Sequence, residues 1–271
     1  MKNKTCLVTG ANSGIGLETA RGLARRGARV IMVCRDPGKG EAARRDIMAT
    51  TGNGMVDLLI ADLASLKSVR QLAEQVKTRY SQLHVLIHNA GLMSKQREVS
   101  ADGFEMQFAV HHLAVFLLTD LLLDLLKKSA PARIINVSSM IHRLGKINFE
   151  DLQSARKFGA YRTYGQSKLA MILYTYALAA RLRGTGVTVN ALHPGAVATN
   201  IGMPAWLNPF LATPEQGART TLYLATAPEV ERVTGKYFVN CKEAASSRAS
   251  NDRNLGARLW SVTEQLIAAA G

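Results

Sequence analysis

Residues 5–16 read TCLVTGANSGIG, and the reading of this stretch decides the fold. Cys6, Leu7 and Val8 form a short apolar run without helical spacing. It ends in a turn carrying Gly10, Asn12, Ser13, Gly14 and Gly16, and an apolar-periodic segment opens at Ile15. Strand, glycine turn and helix in that order bring a buried parallel strand to a turn free of obstructing side chains. The helix start beyond it offers unpaired N–H groups and a positive dipole end, which suit phosphates. The pattern predicts a dinucleotide site. Glycines also mark ordinary turns, so the prediction leans on matching pieces further along the chain.

Outward from this stretch, strands and helices alternate. Helix one spans 15–26, with Ile15, Ala20, Leu23 and Ala24 on one face and Gly27 as its stop. Further strands are expected at 29–34, 56–60, 85–88, 133–137, 187–192 and 236–239. Helices are expected between them at 39–50, 65–80, 103–128, 164–183 and 214–227, with a last one at 252–268. Alternation of this kind predicts an α/β fold with a doubly wound parallel sheet of about seven strands in the order 3-2-1-4-5-6-7 and helices on both faces. Ligands in such sheets sit beyond the C-terminal strand ends.

The 271 residues are 47% hydrophobic and 20% charged, with no low-complexity run or linker, so a single domain over 1–271 is expected. Cys6, Cys34 and Cys241 lie far apart, an odd count without metal-ligand spacing, which favours a reducing, cytoplasmic setting and no metal. With a first strand so near Met1, no leader or anchor is expected within this sequence, and the apolar run Leu113–Leu126 is broken by Asp120 and Asp124. A chain without a transmembrane segment is therefore expected.

A formal charge of +14 raises the question of nucleic acid. The basic residues are spread out, with only a modest concentration at Arg21, Arg25, Arg26, Arg29, Arg35, Lys39, Arg44 and Arg45, and no nucleic-acid motif accompanies them. The positive field better suits a polyphosphate cofactor or, as a peripheral contact, an anionic surface.

Strand two ends in Cys34 and Arg35, where an acidic residue would bind the ribose 2′-hydroxyl of NAD. Cys34 carries no carboxylate to repel a 2′-phosphate and Arg35 can pair with one, so NADP is the expected cofactor. Tyr164 and Lys168 lie four apart on one helix, and Ser139 ends strand five. Reduction of a carbonyl needs a proton at its oxygen. A phenol of pKa about 10 exchanges protons poorly at neutral pH unless a positive charge one turn away stabilises the phenolate. Ser139 is placed to hydrogen-bond the substrate oxygen.

TGANSGIG, the turn at Asn89, Ser139, YGQSK from Tyr164 and HPGAVAT from His193 together resemble the short-chain dehydrogenase/reductase family, a Rossmann-type fold. CRDPGKGE after strand two, SSMIH from Ser138, DLQS from Asp151 and KYFVNCK near the end look most like its retinol dehydrogenase-like branch. The resemblance implies that Asp62 and the Leu63 N–H hold the adenine. It also implies that Asn89, Ala90 and Gly91 form the coenzyme turn, and that Pro194, Gly195, Val197 and Thr199 hold the nicotinamide side. Two positions depart from the family pattern. His88 replaces the first Asn of an NNAG turn, and His111 stands where an Asn usually positions a proton-relay water. A histidine there could carry protons itself or simply be tolerated.

The expected function is NADP-dependent interconversion of an alcohol with a ketone or aldehyde. The runner-up is a catalytically idle nucleotide-binding scaffold, suggested only by His88 and His111. Ile201, Met203, Trp206, Leu207, Phe210 and Leu211 crowd into a segment at about 199–213, which reads as an apolar lid over a hydrophobic, retinoid- or lipid-like carbonyl or alcohol. The segment between Ser139 and Tyr164 is long enough to cover a helix face used for assembly, which suggests a monomer or homodimer.

Overall fold

In a computed structural model, which describes residues 1–197 and 211–270, the glycine turn sits at the centre of one eight-stranded sheet. The strands are β1 (Thr5–Thr9), β2 (Arg29–Cys34), β3 (Val56–Ile60), β4 (Val85–His88), β5 (Ala132–Val137), β6 (Val187–His193), β7 (Tyr237–Val239) and β8 (Lys242–Glu243). Their spatial order is β3-β2-β1-β4-β5-β6-β7-β8. All pairings are parallel except β7 with the two-residue β8, so the expected order holds and one short antiparallel edge strand is added. β8 escaped the sequence because Lys242 and Glu243 are both exposed and carry no apolar signal.

Successive residues of a strand face opposite sides, and the two cores divide accordingly. Cys6, Val8, Val30, Met32 and Ile87 pack with Leu23, Ile47 and Leu224, which belong to α1 (Gly14–Arg25), α2 (Pro37–Thr51) and α7 (Pro214–Thr226). Leu7, Ile31, Leu86 and Ile134 face α3 (Leu66–Arg79), α5 (Ala114–Lys128), α6 (Ala160–Arg181) and α8 (Arg253–Ala269). With both faces of the central strands covered, β1, β2, β4 and β5 read as largely apolar runs. Each fully buried Leu or Ile contributes about 1.5–3 kcal/mol relative to exposure.

The helix expected from Gly103 begins instead with α4 (Met106–Phe108), where the Glu105 carboxylate accepts the Gln107 and Phe108 N–H groups. It passes through a π turn at Ala109–Leu113 into α5. The whole stretch Met106–Lys128 is long and apolar enough to cross a membrane, but most of it is buried inside the protein as a core helix. Helix α6 starts one turn before Tyr164. Its first turn carries the exposed Tyr161 and Arg162, so apolar spacing could not reveal it. Half of the basic cluster near the first two strands is ion-paired. Arg21 pairs with Glu18 and Asp46, Arg29 with Asp57, and Arg44 and Arg45 with Glu41.

Candidate active site

A cleft of about 650 Å³ runs across the C-terminal ends of the strands. Gly10, Asn12, Ser13, Gly14, Ile15 and Gly16 line one wall, with Arg35, Asp62 and Leu63 beyond them. Asn89, Ala90 and Gly91 form its middle. Ser139, Tyr164, Lys168, Pro194, Gly195 and Val197 close the other end. Thr199 and most of the expected lid lie outside the described residues.

The glycine turn is built for close approach. Gly10 has φ +66°, and a Cβ there would stand 2.9 Å from the Ala90 Cα. A Cβ on Gly16 would meet the Gly10 carbonyl oxygen at 2.2 Å and Asn89 Nδ2 at 2.4 Å. Ser13 precedes α1 without capping any first-turn N–H through its side chain, which leaves those donors facing the cleft. These features fit the pyrophosphate of a dinucleotide. Thr9 ties the turn together, a role the sequence reading missed. Its Oγ accepts the N–H groups of Asn89 and Ala90, each at 3.0 Å, while Asn89 Nδ2 donates to the Thr9 carbonyl at 2.9 Å. A threonine at a strand end is too common to be singled out from sequence alone.

On the ribose side Arg35 is exposed at the end of β2, with no acidic partner among the described residues. The neighbouring Asp36 is engaged elsewhere: its carboxylate caps α2 by accepting the Lys39 N–H at 3.0 Å. Asp62 folds one oxygen back to the Ala64 N–H at 2.9 Å, which fixes the carboxylate at the cleft edge.

Two adjacent serines end β5, and the structure separates them. Ser138 Oγ donates to the Lys168 carbonyl at 3.1 Å. Ser139 Oγ accepts the Ile141 N–H at 3.2 Å, which leaves its own proton for an oxygen in the cleft. Tyr164 is nearly buried, and burial pushes its phenol up to about 12, opposed by the Ser139 hydroxyl. Lys168 Nζ donates to the Val137 carbonyl at 3.0 Å and lies 5.6 Å from the centre of the Tyr164 ring. Burial pulls the lysine down to about 7. In the protein alone, desolvation therefore governs both groups. The phenolate-stabilising role expected of Lys168 requires its ammonium form, which burial disfavours in the protein alone.

His111 stands behind Gly91, outside the cleft lining. A Cβ on Gly91 would be 3.3 Å from His111 Nε2 and 3.7 Å from Lys168 Nζ. The Leu92 N–H donates to Nε2 at 3.0 Å, and Nδ1 lies 2.8 Å from Ser167 Oγ. Both ring nitrogens are engaged. Burial, with Lys168 nearby, holds the ring well below its ordinary pKa, so a proton-carrying His111 finds no support in this geometry. The other departure, His88, is buried away from the cleft with Nε2 2.8 Å from Thr119 Oγ1, leaving the coenzyme turn to Asn89. Met140, Ile141 and Tyr161 also line the substrate end, none of them singled out by the sequence reading.

A family model described as short chain dehydrogenase matches residues 4–208. The chain is 46% identical over 272 residues to retinol dehydrogenase 12 of Mus musculus, covering 97% of this chain and 86% of that protein. It is 46% identical over 292 residues to retinol dehydrogenase 14 of Homo sapiens, covering 98% and 87%. Among solved structures, an uncharacterized protein from Mycobacterium paratuberculosis superposes with a TM-score of 0.82 at 38% identity, covering 98% of this chain and 94% of that one. An active-site complex of Pseudomonas aeruginosa RhlG with NADP superposes with a TM-score of 0.71 at 27% identity, covering 88% and 94%. With its glycine cradle and the Ser139, Tyr164 and Lys168 cluster at the strand ends, the chain belongs to the short-chain dehydrogenase/reductase family, on its retinol dehydrogenase-like branch, and is an oxidoreductase that interconverts alcohols and carbonyl compounds.

Proposed function

We propose that the chain is an NADP(H)-dependent oxidoreductase for a hydrophobic alcohol and its aldehyde or ketone, with Tyr164 as the acid/base. The convergence of Ser139, Tyr164 and Lys168 at one end of the dinucleotide cleft carries this reading. A nicotinamide coenzyme would supply or accept the hydride at the carbonyl carbon. In the reducing direction Tyr164 donates its proton to the carbonyl oxygen while Ser139, which accepts the Ile141 N–H at one lone pair, donates a hydrogen bond to the same oxygen. Lys168 holds positive charge beside the phenol and anchors the ribose end, and His111 and Ser167 fix the turn that carries Gly91.

The preference for NADP rests on Arg35 without an acidic partner and on Asp36 turned into the α2 cap. A hydrophobic substrate is supported by Met140, Ile141, Leu92 and Met93 at the substrate end and by relatives named for retinol. Steady-state turnover of apolar and of small polar carbonyls, each with NADPH and with NADH, tests the proposal. Tyr164→Phe is expected to keep coenzyme binding and lose turnover by about a hundredfold or more. Preference for polar substrates, or a Phe variant of near-normal rate, overturns it.

A further inference from the structure

We propose that His142 is the positioning residue for Ser139, coupling the substrate-side hydroxyl to the chain segment that follows β8. The inference rests on the role given to Ser139 above. Ser139 begins a one-and-a-half-turn 3₁₀ segment, Met140–Leu144, and its carbonyl accepts from both the His142 N–H at 3.2 Å and His142 Nδ1 at 2.7 Å. A carbonyl only accepts, so Nδ1 carries the proton. Nε2 of the neutral ring must then accept, and it receives the Ser247 N–H at 3.0 Å. The two partners fix the tautomer between them. The ring is fully buried and packs edge-on against Tyr237 at 5.1 Å between centres.

The surroundings make this bridge a latch rather than an isolated contact. The Arg143 guanidinium donates to the Ala245 carbonyl, Tyr176 Oη lies 2.8 Å from Ser246 Oγ, and the Met140 N–H donates to His193 Nδ1 at 3.3 Å. On its other side the turn rests backbone to backbone on α6. A Cβ on Gly145 would be 2.2 Å from the carbonyl oxygen of Gly165, the residue after Tyr164. The two hydroxyls that must meet one substrate oxygen are thus set by different elements. Tyr164 is carried by α6, and Ser139 by a turn pinned from the far side through His142 to residues 245–247. Losing the imidazole leaves the Ser139 carbonyl only its bond from the His142 backbone N–H, cuts the tie to Ser247 and lets the hydroxyl rotate off the shared oxygen, a displacement to which such geometries are steeply sensitive.

The test compares His142→Phe, His142→Asn and Ser247→Pro, each in the parent chain and in a Ser139→Ala background, by kcat, coenzyme KM and thermal melting. His142→Phe keeps the ring shape but removes both bonds. His142→Asn can still donate to the Ser139 carbonyl, and Ser247→Pro removes only the donor to Nε2. Expected are a fall in kcat of about tenfold or more for His142→Phe with coenzyme KM unchanged, partial recovery in His142→Asn, and no further loss when Ser139 is already Ala. Equal losses in both backgrounds, or unchanged kcat in His142→Phe or, where that variant does not melt cooperatively, in Ser247→Pro, overturn the inference. Should Ser139→Ala itself leave kcat intact, the reading of Ser139 fails instead, and the two failures are distinct.

Discussion

The Leu92 amide donates to His111 Nε2 at 3.0 Å. That bond makes Nε2 an acceptor, so the ring proton sits on Nδ1, 2.8 Å from Ser167 Oγ, which in turn donates to the Tyr164 carbonyl at 2.8 Å. A chain of three bonds thereby joins the coenzyme turn to the helical turn that carries Tyr164 and Lys168.

His111→Ala is expected to leave the Leu92 N–H without its partner, costing about 1–3 kcal/mol of stability, and to raise coenzyme KM more than it lowers kcat. His111→Asn retains a polar partner and should keep turnover within about threefold, less than 1 kcal/mol in barrier. Neither variant should lose a limb of the kcat pH profile. A lost limb would make His111 a titrating participant.

Lys168 titrates at about 7 in the folded chain against an ordinary 10.5. Between those values the unfolded chain binds the extra proton, so this group makes stability rise with pH, and its deficit is full below about 7. Lys168→Met should therefore raise the melting temperature at neutral pH, by about 1–2 kcal/mol in stability, while turnover is lost. The gain should shrink as pH rises from about 7 and disappear above about 10.5. A destabilised Met variant at pH 7 would show that the ammonium is a net structural asset.

Burial lowers His88 and His112 from 6.5 to about 3 and His193 to about 4. The unfolded chain takes up these protons first as pH falls. Stability should decline from about pH 6.5 downward, by about 1.4 kcal/mol per unit for each histidine, until the folded values are reached. His112 lies among Phe108, Phe116 and Tyr174, with Nδ1 buried and without a partner among the described residues, and its partner Thr263 Oγ1 also donates to the Leu259 carbonyl. His112→Phe should flatten the acid slope by one proton and hold or raise stability at pH 7. Denaturant titrations across pH 4–7 read both, and an unchanged slope would count against it.

Arg35→Ala is expected to reduce kcat/KM with NADPH by about tenfold or more, as loss of a charge-assisted contact of about 1.5–3 kcal/mol requires, with little effect on NADH. Equal use of both coenzymes by the unmutated chain would remove Arg35 from the specificity argument.

Much of this was legible in the sequence because it is local. A buried parallel strand needs an apolar run, a phosphate cradle needs glycine, and a helical turn sets Tyr164 and Lys168 on one face, so each leaves its mark within a few residues. The strand order followed because short right-handed crossovers leave few alternatives. What stayed silent depended on partners distant in the chain. The engagement of the neighbouring Ser138 hydroxyl by the Lys168 carbonyl spans 30 positions, and Thr9 acts on Asn89 across 80 and on Ala90 across 81. The protonation of His111 is decided by Leu92 and Ser167, because only the packed structure excludes water from the ring and supplies a donor to one nitrogen and an acceptor at the other. The sequence by itself determined the glycine cradle and the set of Ser139, Tyr164 and Lys168. Tertiary structure decided which of them carry a proton, since desolvation and long-range hydrogen bonds exist only once the chain has folded.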